Sequence, residues 1–181
     1  MRFIVMATLF LLSLSSYAAS PTVGEPMPSL EIRDKGELHL NGKAIDYRPW
    51  ATSSLNGDWA LLQYMAARPK ASKVNRHVVD AVSEKRAQGV AVNIFNIINV
   101  RDVPFGATGF ALAELENNKR KYPDSPLIGD MDNGRQAWEL KPGGSAIFLV
   151  DPKGTLRFFK DGIVSQQELD SLLTLLPATD Q

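Results

Sequence analysis

The sequence predicts an α/β fold, in which a mixed β-sheet carries helices on both faces and begins with an N-terminal β-hairpin. A strand–helix–strand succession between Trp59 and Val100 is typical of parallel strands joined by a helix. Two hairpins, around Asn41-Gly42 and around Asp151–Gly154, add antiparallel strands. We therefore expect a single domain over residues 19–181.

The first elements are an extended segment and a hairpin. Prolines at positions 21, 26 and 28 disfavour helix and predict an extended start. Alternating runs over Glu37–Leu40 and Lys43–Tyr47 flank Asn41-Gly42, which predicts a two-residue turn with both residues at positive φ. A short helical turn is expected over Thr52–Leu55.

The central elements form the parallel part of the predicted sheet. The apolar run Trp59–Met65 predicts a buried strand. A helix is expected from Ser72 to about Gln88, because valines recur at helical spacing and Gly89 follows. The run Val90–Val100, rich in β-branched residues, predicts the second strand.

The third helix is expected from about Phe110 to Lys121, after Gly106–Gly109. A short strand at Leu127-Ile128, a turn at Asp130–Gly134 and a short helix over Arg135–Leu140 follow.

The chain ends with a hairpin and a helix. Ser145–Val150 and Thr155–Lys160 are predicted to pair across the turn that contains Pro152. Phe158 and its neighbour Phe159 must point to opposite faces of the strand, so one of them is covered either by a helix on the other sheet face or by a partner, and we favour the helix. Ser165 and Glu168 form a capping box that begins a helix ending at Leu176.

The first 18 residues have the pattern of a secretory signal peptide. Arg2 gives a positive start, Phe3–Leu14 is apolar, and Ser16-Tyr17-Ala18 offers a small-x-small cleavage pattern, with Ala18-Ala19-Ser20 as a second choice. The apolar run is shorter than the roughly 20 residues of a membrane-spanning helix. We therefore expect a periplasmic protein with no membrane span after cleavage.

Composition excludes several classes of function. Lys and Arg number 20 against 20 Asp and Glu, so no net charge favours nucleic acid. The chain contains no cysteine, which excludes a thiol oxidoreductase, a thiol peroxidase and sites built on Cys-bound zinc or iron–sulfur clusters. We expect no metal and no cofactor, and a monomer.

Several segments resemble proteins of the thioredoxin fold, in its peroxiredoxin-like or cytochrome-maturation-like form. Val23–Pro28 is similar to their first segment, Leu55–Leu62 to the lead into their central strand, and Ala146–Gly154 to their strand–turn–strand hairpin. This resemblance implies the thioredoxin-like, peroxiredoxin-like variant of the α/β fold predicted above.

The chain more specifically resembles the YtfJ family of periplasmic proteins. The matching segments run nearly end to end, and they are Arg33–Leu38, Asp102–Phe110, Glu116–Lys119 with Tyr122-Pro123, Ala137–Leu140, Ser145-Ala146 and Lys160–Gly162. The resemblance implies a single-domain periplasmic protein of thioredoxin-like fold. It carries over no catalytic residue.

The sequence departs from active thioredoxin relatives at both landmarks of their redox site. Their cysteine pair follows the central strand, where this chain has Ala67–Ser72. Their cis-proline corresponds to about Ser145, for which a trans peptide bond is expected because cis costs a non-proline residue about 2.5–4 kcal/mol.

Other patterns that could carry chemistry are weak. His39 and His77 are the only histidines, and no nucleophile-elbow pattern accompanies them. Asp130-x-Asp132-x-Gly134 suggests calcium, but the glycine is fifth rather than sixth and Lys141 stands where an EF-hand has glutamate, so a turn is preferred. Gly106–Gly109 fits a helix start better than an anion loop.

We expect a periplasmic binding or interaction protein on a redox-inactive thioredoxin-like scaffold, with an unknown periplasmic protein or small ligand as partner. Ligands of open α/β sheets lie beyond the carboxyl ends of parallel strands. The candidate binding residues at this former active-site edge are Arg68, Pro69, Lys70, Asp102, Gly144 and Ser145. The alternative is a cysteine-independent enzyme that uses Asp102 with Lys70 or Arg68 as an acid–base pair.

Overall fold

The structure is a computed structural model and describes residues 20–55 and 57–178. Within these residues the strands are β1 Glu31–Asn41, β2 Ala44–Ala51, β3 Trp59–Ala66, β4 Val92–Asn99, β5 Leu127–Asp130, β6 Ser145–Val150 and β7 Leu156–Asp161. These seven strands form one mixed sheet in the order β2-β1-β5-β4-β3-β6-β7. The helices are α1 Ala71–Val74, α2 Arg76–Ala87, α3 Thr108–Lys121, α4 Asn133–Ala137 and α5 Gln166–Leu175, with a 3-10 helix at Thr52–Leu55.

The predicted mixed α/β sheet is confirmed. β3, β4 and β5 are parallel neighbours, while β1 pairs antiparallel with β2 and β5, and β6 with β3 and β7. Met65 near the end of β3 pairs with Ser145 at the start of β6 and with Ile98 near the end of β4. The carboxyl end of the parallel strands therefore adjoins the loop that leads into β6.

Side chains alternate between two cores, one on each face of the sheet. Leu61 of β3 packs with Val78 of α2 and Leu172 of α5, whereas the next residue, Leu62, packs with Trp138 beyond α4. The predicted split of the two phenylalanines is confirmed, since Phe158 packs against the first core and Phe159 against the second. Helices thus lie on both faces.

Helix α3 lies on the same face as α2 and α5. Its Leu115 packs with Leu38 of β1, and Ile98 of β4 packs against that cluster. Ile98 is four residues from Ile94, which belongs to the α2 and α5 core, so the two isoleucines share a face.

Several predicted boundaries differ from the structure. The first hairpin turns on Gly42 and Lys43 rather than Asn41 and Gly42, and of these only Gly42 has positive φ, at 61°. The helix predicted from Ser72 is two helices separated at Asn75. α3 begins two residues earlier than Phe110, and the helix predicted over Arg135–Leu140 is α4, Asn133–Ala137.

The predicted signal peptide, residues 1–18, lies outside the described residues. Among the residues that are described, no helix is long and apolar enough to cross a membrane.

Candidate functional site

The six predicted site residues lie at the carboxyl end of the parallel strands, five of them on three loops and Ser145 as the first residue of β6. Arg68, Pro69 and Lys70 connect β3 to α1, Asp102 follows β4, and Gly144 leads into β6. The backbone N–H of Ala66 donates to the Gly144 carbonyl at 3.0 Å, which ties the first loop to the third. The end of β3 therefore lies beside the loop that leads into β6.

An ion pair joins Arg68 to Asp102 across two of these loops. Arg68 Nε and Nη2 lie 3.0 and 2.9 Å from Asp102 Oδ1, and Asp102 Oδ2 accepts from the backbone N–H of Gly143 at 2.5 Å. The Asp102 side chain is only 8% exposed, against 41% for Arg68. The carboxylate is thus held on both oxygens and fixes the three loops together.

The other predicted residues divide into exposed and buried ones. Pro69 and Lys70 are exposed, and no ion pair with Lys70 is found within residues 20–55 and 57–178. Ser145 is 2% exposed and sits beneath the loops. The described part of the chain has no cis peptide bond, so the bond before Ser145 is trans, as its non-proline identity predicts.

Buried amides surround Ser145, and sequence reasoning missed them. Asn75 Nδ2 donates to Ser145 Oγ at 3.3 Å and to the Gly162 carbonyl at 2.9 Å, and its Oδ1 accepts from the Val164 N–H at 3.0 Å. Gln63 Nε2 reaches the same hydroxyl at 3.4 Å. Neutral hydrogen bonds therefore fill the space beneath the loops, with no nucleophile among the contacting groups except the Ser145 hydroxyl.

A signal for Asn75 was present in the sequence. It stands four residues after Ala71 and three before Val78, which places it on the buried side of the helical stripe. A buried carboxamide needs partners from elsewhere in the fold, so an asparagine at that position predicts a polar network.

A second polar cluster adjoins the site through Asn99 at the end of β4. Asn99 Nδ2 donates to Asp132 Oδ1 at 2.6 Å, and Arg135 holds both oxygens of the same carboxylate at 2.7 and 2.6 Å. The Arg135 hydrogen bonds, supported by Gln136 and Asn99, hold the pKa of Asp132 at about 2. Asp132 is therefore a fixed anion.

Asp130 and Tyr64 complete this cluster beneath the sheet edge. The fully buried Asp130 accepts from the Tyr64 hydroxyl at 2.7 Å and from the Gly134 N–H at 2.8 Å. Burial, and then the Asp130 charge, raises the pKa of Tyr64 far above its usual range, so the phenol stays protonated and donates.

The contacts of Asp130 and Asp132 favour the turn interpretation of this segment over a calcium loop. Both carboxylates point at donors of the protein itself. Residues 20–55 and 57–178 contain no group of three or more His, Cys, Asp or Glu that could hold a metal ion.

An apolar groove of about 770 Å³ runs beside the predicted site, and sequence reasoning missed it. Ile98 of β4 and Met65 of β3 lie on its floor, and α3 with the loop before it forms one wall. Arg68, Pro69 and Ser72 form part of the opposite wall. The further lining residues are Ala66, Ala67, Asn96, Val103, Pro104, Ala107, Phe110, Ala111, Glu114, Leu115, Asn118, Tyr122, Ser125 and Leu127.

The groove exists because α3 packs over β1 and β5 while α1 and α2 pack over β3 and β4. The sheet between them is left partly uncovered. A gap of this kind depends on where two helices sit on a sheet, and periodicity along the sequence does not report that.

Known proteins match this chain over nearly its full length. A family described as "Bacterial protein of unknown function (YtfJ_HI0045)" matches residues 22–179. "Uncharacterized protein YtfJ" of Escherichia coli K12 is 29% identical over 177 residues, covering 97% of this chain and 96% of that protein. An "Uncharacterized protein" of Haemophilus influenzae is 26% identical over 165 residues, covering 91% and 90%.

Solved structures match in fold. The thioredoxin domain of a thiol-disulfide oxidoreductase from Bacteroides vulgatus superposes with a TM-score of 0.56 at 12% identity, covering 87% of this chain and all of that one. The fold is therefore thioredoxin-like, as the sequence resemblance implied.

Proposed function

The chain belongs to the YtfJ_HI0045 family of bacterial proteins, and from that premise we propose that it is a periplasmic binding or interaction protein on a redox-inactive thioredoxin-like scaffold. The groove beside the Arg68–Asp102 pair is the binding surface. The former active-site edge forms one wall of that surface, and α3 forms the other.

The groove is the observation that carries the proposal. Large exposed apolar patches on a protein commonly mark interaction sites. Five large apolar side chains are exposed among the described residues, and Phe110 and Tyr122 line the groove while Phe105 stands on the loop before α3. Three of the five thus gather around one surface feature.

The contacts at the edge support a scaffold without redox chemistry. The chain contains no cysteine, so neither a thiolate nor a disulfide can form at Ala67–Ser72. The space beneath is closed by Asn75, Gln63 and Ser145. The Asp102 carboxylate keeps the three loops joined through Arg68 and the Gly143 N–H, and the groove beside them stays open.

The periplasmic location rests on the N-terminal sequence alone. An apolar run behind Arg2, ending at Ala18, is typical of an exported protein. Fractionation of cells that express the full chain, followed by N-terminal sequencing, tests the location. A protein recovered in the cytoplasm with Met1 retained would contradict it.

The alternative, a cysteine-independent enzyme, draws no support from the contacts of its proposed base. Both oxygens of Asp102 already accept hydrogen bonds, from Arg68 and from the Gly143 N–H. With only 8% of its side chain exposed, Asp102 also offers a substrate little access to the lone pairs that remain. The exposed Lys70 has no described contact with Asp102.

Site-specific photo-crosslinking in living cells tests the binding surface. A photoreactive residue at Ser72, which lines the groove, should form a defined adduct, and one at the exposed Ser171 of α5 should not. The adduct should disappear in Phe110→Asp and persist in Ile163→Asp, which places the same charge on another exposed apolar residue outside the groove. Equal labelling at both serines, or an adduct insensitive to Phe110→Asp, would refute the proposal.

A further inference from the structure

We propose that the groove binds a single-chain lipid anion, a fatty-acid carboxylate. Its acyl chain lies along the floor between β4 and α3, and its carboxylate lies at the end formed by Arg68 and Ser72. This inference rests on the proposed function, because it names the ligand of the same surface.

The floor of the groove has no backbone group to offer a peptide. Met65 is paired on both sides, with Ile98 and with Ser145, and Ile98 is paired with Met65 and with Gly129. An extended peptide gains affinity by adding to a free sheet edge, and the edges here are β2 and β7. An extended peptide on this floor would leave buried backbone groups unsatisfied, whereas an acyl chain has none.

The polar side chains are a minority of the groove lining. Among the lining residues, Asn96 and Asn118 carry carboxamides, Ser72 and Ser125 carry hydroxyls, and Glu114 carries the single carboxylate. The remaining lining is apolar apart from Arg68 and the Tyr122 hydroxyl. The volume of about 770 Å³ lies within the range of small-molecule sites, roughly 300–1,000 Å³. Size and lining thus match a hydrocarbon chain.

The surroundings of the groove are positively charged in a chain with no net charge. The segments that form its walls, residues 66–79 and 99–127, hold eight Lys and Arg but four Asp and Glu. Residues 66–79 contain no Asp or Glu. Their Lys70 and Lys73 are exposed and lie next to the lining residue Ser72 in the sequence. An anionic headgroup therefore meets a complementary potential at that wall.

Arg68 gives the charged end a donor inside the groove. Its Nε and Nη2 face Asp102, and within the described residues no hydrogen-bond partner is found for its Nη1. The side chain is 41% exposed and lines the groove. A carboxylate at this point can accept from Nη1 without disturbing the Arg68–Asp102 pair.

Calorimetric titration of the mature chain with dodecanoate, and with dodecanol as its uncharged analogue, tests the inference. Dodecanoate should bind saturably at one site, at least about tenfold more tightly than dodecanol. In the double variant that carries both Lys70→Gln and Lys73→Gln, the affinity for dodecanoate should fall about fivefold, and the affinity for dodecanol should stay unchanged. Phe110→Asp should weaken both ligands, and Ile163→Asp should weaken neither.

Amide NMR shifts locate the ligand. Shifts confined to residues 65–72 and 96–127 agree with the inference, and shifts centred on the opposite face around Trp138 would overturn it. Absence of saturable dodecanoate binding, or equal binding of dodecanol, would also overturn it. If the Ser72 crosslink still forms in that case, the proposed function stands and the ligand class is wrong; if both fail, the binding surface itself is wrong.

Discussion

Of the two glycines in the β1–β2 hairpin, Gly36 is the one at which an added Cβ atom would clash with the backbone. It has φ of 76° and sits where the β1–β2 register shifts between Ile32 and Glu37. A Cβ there would stand 2.0 Å from the Arg48 carbonyl oxygen, which is backbone and cannot swing aside. The sequence predicted the hairpin but not this bulge, because pairing register depends on both strands together.

Gly36→Ala is expected to lower the free energy of unfolding by at least about 3 kcal/mol, since it adds a clash to left-handed strain. Gly42→Ala is the matched control. Gly42 also has positive φ, 61°, but a Cβ there meets nothing within 4 Å, so only strain of about 1 kcal/mol is expected. Urea denaturation measures both. Equal losses would show that the contact with Arg48 does not matter.

Asp132 should make stability depend on pH in the acid range. Its pKa is about 2 when folded against 3.8 ordinarily, mainly because of Arg135. A depressed folded pKa gives stability that is complete above the ordinary value and is lost as the pH falls through about 2. Asp132→Asn keeps a residue that tolerates φ of 85° but removes the charge.

The difference in unfolding free energy between the parent and Asp132→Asn should therefore be on the order of 2 kcal/mol at neutral pH and shrink between about pH 4 and pH 2. Some acid sensitivity remains in the variant, because Lys160 and then Ser165 hold the pKa of Glu168 at about 2. Asp124→Asn, at an exposed position, is the control and should change the unfolding free energy at neutral pH by less than about 0.5 kcal/mol. If the difference in unfolding free energy stays constant from neutral pH to about pH 2, the charge of Asp132 is not its cause.

At the scale of elements, the break between α1 and α2 is the largest departure from the sequence prediction. Periodicity alone favoured one helix from Ser72, and the apolar stripe was real, since Val78 and Val82 are buried. Asn75 interrupts it with φ of −115° because its side chain bonds to Ser145, Gly162 and Val164. These partners are about 70 to 90 residues away in the chain, so local propensity could not report them.

The predicted capping box of α5 is confirmed. It could be predicted from the sequence because all its contacts are local. Ser165 Oγ accepts from the Glu168 N–H at 3.3 Å, and the Glu168 carboxylate accepts from the Ser165 N–H at 2.8 Å. Ser165→Ala should cost about 1 kcal/mol of stability. Ser171→Ala, inside the same helix and exposed, should change it by less than about 0.5 kcal/mol. Thermal unfolding followed by circular dichroism measures both, and a Ser171 loss as large as that of Ser165 would argue against the cap.

At the scale of the whole molecule, the sequence predicted the sheet better than the site. Strand polarity and the two hairpins follow from local patterns, and they bring Arg68, Asp102 and Gly144 to one edge. The groove could not be predicted in this way, since it arises from the spacing between α3 and α1 across β4. The Gly143 N–H on Asp102 likewise depends on a loop conformation with φ of 72°.

The N-terminal hairpin is expected to unfold together with the central sheet. Ile32 of β1 and Trp50 of β2 are 0% and 3% exposed and share one core with Leu62 and Phe148. Detaching the hairpin would expose side chains worth about 1.5–3 kcal/mol each.

Residue-resolved NMR during urea titration should therefore give one midpoint for Leu38 in β1 and Ile147 in β6. In Trp50→Ala, which removes the largest hairpin side chain from the shared core, the Leu38 signal should be lost at lower urea than Ile147. Separate midpoints already in the parent protein would show that the hairpin is an independent unit, held to the sheet mainly by the short β1–β5 pairing.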